Sequence, residues 1–256
     1  MGIQKVKRYT ITIITTCWVM VLSALFCGWI PSQQDNSEKT ILHNWEAGKT
    51  VSDAAIKTYG EHNCFVAEPI PDNIWELMQG KSYKDNPFIN REDLRHIKVL
   101  HWDYDNKIHL GEMVCNKAIA NILIDIFRQL YKAKYPIERM ILPDYYDADD
   151  ETQMRANNSS CFCYRAVAGT KVISHHARGL AIDINTLYNP YYKIRKDGSM
   201  YVQPETGRPY CDRSKNFKYK IDKKDLAYKL FTQNGFKWGG EWKSCKDFQH
   251  FEWEGK

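Results

Sequence analysis

Two imidazoles and two carboxylates stand at spacings that could build a metal site. Ser174 to Asp183 reads SHHARGLAID, and Asp247 to Glu252 reads DFQHFE. In LAIDI, Leu180, Ile182 and Ile184 alternate with Ala181 and Asp183. A strand there buries three aliphatic side chains on one face and presents Asp183, beside a small alanine, on the other. His176 precedes Asp183 by seven residues, an odd offset that one continuous strand would place on the opposite face. The chain must turn between them, and Gly179 is the residue to do it. In DFQHFEW, Phe251 and Trp253 alternate with His250 and Glu252, the pattern of a second strand whose polar face carries His250.

Catalytic zinc commonly takes three ligands from His, Asp or Glu and leaves a fourth position for water, whose pKa falls to about 7. His176, Asp183 and His250 supply such a set. Asp247, three residues before His250, is the candidate base: it stands beside a ligand yet is not needed to complete the triad. Each residue alone has an ordinary alternative, a hydrogen-bonded structural histidine or an aspartate capping a turn, and His175 reads as such a bystander. Glu252 is either a partner that orients a ligand imidazole or a solvated strand residue. Cys161 and Cys163 with His175 and His176 offer a rival, closed Cys2His2 zinc site. That rival leaves Asp183, Asp247 and His250 unexplained.

The segments NNSSCFCYR, SHHARGLAIDIN, FKWGGEW and DFQHFE occur in the order seen in the zinc peptidases of bacterial cell walls, and the chain resembles that family from about Cys64 to its end. The family includes D-alanyl-D-alanine carboxypeptidases and L-alanyl-D-glutamate endopeptidases of the phage-endolysin type. Ser174, His176 and Asp183, with Gly179 and Ala181, match its first hallmark, and Asp247 and His250 its second. The resemblance implies one zinc ion held by His176, Asp183 and His250, with Asp247 as base. It implies that Arg165 faces the substrate, where a guanidinium fork can bind a carboxylate or an oxyanion. Without that likeness, a surface salt bridge is the simpler reading of Arg165. Ser174 is expected to hydrogen-bond near the site rather than attack. Trp238 and Glu241 of WGGEW are expected beside the substrate or the ligands, Glu241 standing where relatives more often have Asp.

The elements that must position these residues follow from periodicity. Asp105-Asn106 is a turn between short extended pieces. From Val114 to Lys134, Ile119, Leu123, Ile126, Phe127 and Leu130 recur at helical spacing, which predicts a core helix. Asp222 can cap another helix through about Gln233, with Asp225 in its first turn and Gly235 ending it. The expected fold is α+β: a small antiparallel sheet carrying the zinc site, flanked by helices, similar to the hedgehog and D-Ala-D-Ala-peptidase folds.

Residues 1–8 form a basic end with Lys5, Lys7 and Arg8, and residues 9–30 carry no charge. About 20 apolar residues suffice to span a bilayer, and the flanking charges orient the N-terminus toward the cytoplasm. The expectation is an inner-membrane anchor with the remainder outside the cytoplasm, or a secreted protein if the segment is cleaved. Residues 31–60 read as a tether that becomes ordered toward its end, with Trp45 and AAIKTY packing on the domain, and residues 61–256 as the peptidase domain. The chain carries a formal charge of +5, but without residues 1–30 the balance is 33 basic to 31 acidic residues. That is no electrostatic footprint for nucleic acid. The six remaining cysteines suggest disulfides outside the cytoplasm without fixing their pairing.

These features imply a monomeric zinc metallopeptidase of the cell envelope that hydrolyses an amide bond in a peptidoglycan stem peptide. The alternative is a zinc-stabilised cell-wall binding module without catalysis. Carboxypeptidase and endopeptidase specificity are not separable at this level.

Overall fold

The computed structural model describes residues 33–167 and 172–255. The expected membrane segment 9–30 lies outside them. Among the described residues, no helix is long and apolar enough to cross a membrane.

The chain opens with α1 (Gln33–Asn44), β1 (Thr50–Val51) and α2 (Asp53–Tyr59). Ser52 caps α2, its side chain accepting the Ala55 amide. Leu42, Trp45, Val51 and Ile56 enter the main core, and Trp45 Nε1 donates to the Gly111 carbonyl at 3.1 Å. The stretch read as a tether is therefore packed on the domain from α1 onward, Trp45 and AAIKTY included.

Next come β2 (Val66–Glu68), α3 (Asp72–Met78), β3 (Leu94–Trp102) and β4 (Ile108–Asn116). β3 and β4 form a long antiparallel hairpin in a four-stranded sheet of order β1-β4-β3-β2. Its turn is where Asp105-Asn106 predicts it: Asn106 has φ 60°, and Asp103 Oδ1 accepts the amides of Asp105 and Lys107 at 2.9 Å. The flanking strands are nine residues each, longer than the short pieces expected.

The helix expected over 114–134 is α4 (Ala120–Lys132). Val114 to Asn116 instead pair with β3, because apolar residues at the end of a half-buried strand can run into a helical pattern without a break in hydrophobicity. Leu123, Ile126, Phe127 and Leu130 are almost fully buried. Each such side chain contributes roughly 1.5–3 kcal/mol through burial.

The remaining elements are α5 (Asp150–Arg155), β5 (Ala181–Asp183), β6 (Tyr191–Ile194), β7 (Met200–Gln203), α6 (Leu226–Gln233), β8 (Phe236–Trp238), β9 (Lys246–Asp247) and β10 (His250–Trp253). They build two three-stranded antiparallel sheets, β5-β10-β8 and β7-β6-β9. α6 is capped by Asp225, which accepts the Ala227 and Tyr228 amides, and not by Asp222. Asp222 accepts the Lys224 amide at 2.8 Å and makes the turn before the helix. Helices around small antiparallel sheets make the architecture α+β.

The six cysteines from Cys64 to Cys245 are free, so the disulfides suggested by their even number are absent. Cys64, Cys115 and Cys161 fill the main core as small apolar side chains, and burial pushes the Cys64 thiol up to about 12.

Candidate metal centre

One strand pairing sets the centre. β10 runs antiparallel to β5 with His250 directly opposite Asp183, and opposed residues share a face of the sheet. Asp183 Oδ1 is 3.0 Å from His250 Nδ1. His176 arrives from a separate turn, His176–Arg178, which ends at Gly179 with φ 64°. A Cβ at Gly179 would lie 2.6 Å from the Asn116 amide nitrogen, so the left-handed backbone and the close approach both demand glycine. This turn resolves the odd offset: His176 Nε2 reaches Asp183 Oδ2 at 3.1 Å and His250 Nδ1 at 3.2 Å. One ligand atom from each of the three residues lies within 4.8 Å of the others.

The outer ring nitrogens fix which atoms face inward. His176 Nδ1 is 2.6 Å from the Cys161 carbonyl oxygen. A carbonyl only accepts, so Nδ1 carries the proton and Nε2 turns its lone pair inward. His250 Nε2 faces Glu252 Oε2 at 3.4 Å, leaving Nδ1 inward in the same way. Burial opposes charge on His250, but the Asp183 and Glu252 carboxylates outweigh it and push its pKa up to about 10. Burial likewise opposes ionisation of Asp183, and the two imidazoles hold it far below the carboxylate range. Two inward ring nitrogens and a carboxylate thus converge on one buried point, where a metal cation would replace the proton that the carboxylates otherwise hold on His250. The donor set of two nitrogens and one oxygen, with partners behind both rings, fits zinc.

Residues 168–253 match a D-alanyl-D-alanine carboxypeptidase family. The match supports a zinc-dependent peptidase, and it bears out the family resemblance over the stretch that holds both hallmark motifs. Arg165, NNSSCFCYR and the rest of the chain from Cys64 to that point lie before the matched stretch. No curated protein and no solved structure matches the chain.

Within the matched stretch, Asp247 approaches from the other small sheet, where β9 pairs with β6 and Asp247 stands opposite Tyr191. Burial pushes its pKa up to about 7; Asp183 adds to this and His250 works against it. Its Oδ1 is buried without a hydrogen-bond partner. A carboxyl at the cavity with one buried oxygen lacking a partner and a pKa near neutrality is suited to exchanging a proton. Gly239 allows this closeness, since a Cβ there would lie 2.8 Å from the Asp247 Cβ and 3.3 Å from that of His250.

A cavity of about 210 Å³ opens over the centre, and Asp247, Arg165, Ser174 and Glu252 line it with the three candidate ligands. Ser174 Oγ accepts the His176 amide at 3.2 Å, which ties it to the backbone of that turn. Arg165 Nε lies 2.7 Å from Asp150 Oδ2, a charge contact whose angle is not that of a hydrogen bond. Arg165 thus makes a salt bridge and also lines the cavity, because the pair sits in the cavity wall.

Trp238 and Glu241 do not reach the cavity. Trp238 pairs with Phe251 across β8 and β10 and donates Nε1 to the Phe248 carbonyl at 2.8 Å, inside the core. Glu241 is turned to Lys223 Nζ at 2.6 Å and to the Tyr228 hydroxyl. The tryptophan of WGGEW that lines the cavity is Trp242, its ring 5.3 Å from that of His250. The Cys2His2 alternative is not assembled either. Cys161 offers His176 its carbonyl while its thiol faces the Gly179 carbonyl, and the half-exposed His175 turns toward Glu252.

Sequence reasoning missed Asp150, Trp242 and Gln249, which line the cavity. Tyr191, Tyr201 and Gln203 of the β6–β7 hairpin line it too, but they stand in the ring-rich segments YNPYYKI and MYVQPETGRPY, whose aromatic clustering is a signal for a cleft wall. Asp150 is one of three consecutive acids, 149–151. Asp149 caps α5 by accepting the Thr152 amide at 2.8 Å, and that local role hides the different one of its neighbour.

Proposed function

We propose that this protein is a zinc metallopeptidase that hydrolyses an amide bond in peptidoglycan stem peptides, as a D-alanyl-D-alanine carboxypeptidase or an L-alanyl-D-glutamate endopeptidase. One observation carries the reading: His176, Asp183 and His250 converge beside Asp247, a buried carboxyl with a free oxygen, under one cavity. Zinc held there supplies Lewis acidity toward the scissile carbonyl and toward water. Asp247 takes a proton from the attacking water and returns it to the amine as the C–N bond breaks, so that water is divided between a new carboxylate and a free amine. Arg165 binds a substrate carboxylate or the developing oxyanion from the cavity wall, with Asp150 holding its Nε side.

The same reading makes residues 9–30 a membrane anchor, or a cleaved export segment, for a monomeric domain in the cell envelope with a fold of the hedgehog and D-Ala-D-Ala-peptidase type. A binding module without catalysis has no use for Asp247, so the buried free oxygen favours the enzyme.

Mass spectrometry of muropeptides incubated with the zinc-loaded protein tests this, with a chelator and Asp247→Ala as controls. Loss of terminal D-alanine identifies a carboxypeptidase, and release of the stem after L-alanine an endopeptidase. A folded, zinc-loaded sample that yields no product from a full set of stem peptides overturns the reading in favour of the binding module.

A further inference from the structure

One wall of the cavity is the β6–β7 hairpin, and its two faces differ. Directly opposed residues share a face, and the register pairs Tyr191 with Gln203 and Lys193 with Tyr201. Tyr191, Tyr201 and Gln203 line the cavity, so the period of two places Lys193 and then Arg195 on that same face, further from the centre. Arg195 confirms the direction: its guanidinium carbon lies 5.0 Å from the centre of the Tyr201 ring. The other face carries Tyr192, Ile194, Met200 and Val202.

The row begins at the base. Tyr191 stands opposite Asp247, and each two-residue step along a strand covers about 7 Å. Lys193 and Arg195 therefore lie about 7 and 13 Å along the wall from the level of Asp247, the reach of about two and four residues of an extended peptide. Both side chains are exposed. One acid shares the turn: Asp197 accepts the Ser199 amide and hydroxyl at 2.9 and 2.7 Å and feels the charge of Arg195, so Lys193 and Arg195 together leave the hairpin tip net positive.

We propose that Lys193 and Arg195, with Tyr201 between them and the cavity, form a subsite for a free carboxylate carried by the substrate two to four residues from the scissile bond. This rests on the peptidase reading and gives it a specificity: acidic stem peptides over their amidated counterparts. A lysine point charge and a stacked guanidinium both bind carboxylate and gain nothing comparable from a neutral carboxamide.

The test is equilibrium binding by calorimetry to the full-length, zinc-loaded protein. The probes are pairs of stem peptides that differ only in whether one residue, two to four positions from the bond that is cleaved, carries a free carboxylate or its carboxamide. The acidic peptide should bind roughly fivefold tighter, the size expected of exposed ion pairs. Lys193→Gln/Arg195→Gln should abolish that preference while leaving the amidated peptide's affinity unchanged. Equal binding of both peptides, or a preference that survives the double substitution, overturns the subsite. Cleavage in the same samples is scored separately: turnover without an acid preference removes only the subsite, whereas absence of turnover speaks against the peptidase reading.

Discussion

Two buried histidine–carboxylate clusters sit in different sheets, and they are built to opposite ends. In the four-stranded sheet, His96 Nε2 is 2.8 Å from Glu112 Oε2 and Nδ1 is 3.5 Å from Glu68 Oε1, while Lys98 Nζ reaches the same Glu68 oxygen at 2.6 Å. His96 and Glu112 are almost fully buried. Burial opposes charge on His96, but the two glutamates outweigh it and raise its pKa. His96 and Lys98 face the two glutamates, and the cluster closes on itself. In the small sheet, His176, Asp183 and His250 turn their donors toward one another beneath a cavity, with the further carboxyl of Asp247 beside them. A buried histidine next to a carboxylate is thus no sign of chemistry by itself; a surplus of inward-facing donors is.

The contrast breaks most sharply at its two carboxyls. Asp247→Ala should keep equimolar zinc by metal analysis and lose about 10²- to 10⁴-fold in kcat, the range for a positioned base; loss of metal instead would make Asp247 a ligand. Glu112→Ala strands His96 and should cost about 3–5 kcal/mol in denaturant unfolding while leaving zinc stoichiometry intact. If Glu112→Ala released zinc, the two clusters would not be independent. Glu252→Ala removes the acceptor behind His250 and should weaken zinc about 10- to 100-fold in competition with a chelator, with little change in the unfolding of the metal-free protein.

The smallest effect isolates the cost of burial without a histidine. Asp225 accepts the Tyr135 hydroxyl at 3.0 Å, and burial raises its pKa from 3.8 to about 6. A raised folded pKa means that its contribution is complete below about pH 4 and is lost as pH rises through about 6. An asparagine in its place still caps α6 and does not titrate. Asp225→Asn should therefore gain about 1 kcal/mol on the wild type between pH 4 and 8, read from melting curves; a difference constant with pH would remove burial as the cause.

How much of this was legible depended on whether the signal was local. The alternation in LAIDI and HFEW gave both ligand strands, and Gly179 gave the turn that aligns His176, because period and left-handed backbone leave their marks in neighbouring residues. The strand-to-helix boundary at Ala120 left none, since Val114 and Ile119 are equally apolar. Trp238 and Trp242 flank the same WGGE segment, and only the pairing of Trp238 with Phe251 decides which one is core. Asp150 meets Arg165 across the fold, a contact that no spacing announces. Asp225 rather than Asp222 caps α6 because two candidate caps three residues apart offer the same chemistry.

The pairing of β5 with β10 also has a consequence in time. Asp183 and His250 are 67 residues apart and His176 and His250 are 74 apart, so no local segment of the unfolded chain presents the full donor set. The loop between them must close before the three side chains meet, and closure of so long a loop comes at an entropic cost. In the metallopeptidase proposed above, tight metal uptake would therefore report that β10 has docked, and the ion would act afterwards as a latch on a folded domain rather than as a seed for folding. A chain cut short before β10 keeps His176 and Asp183 and has nothing for the latch to close on.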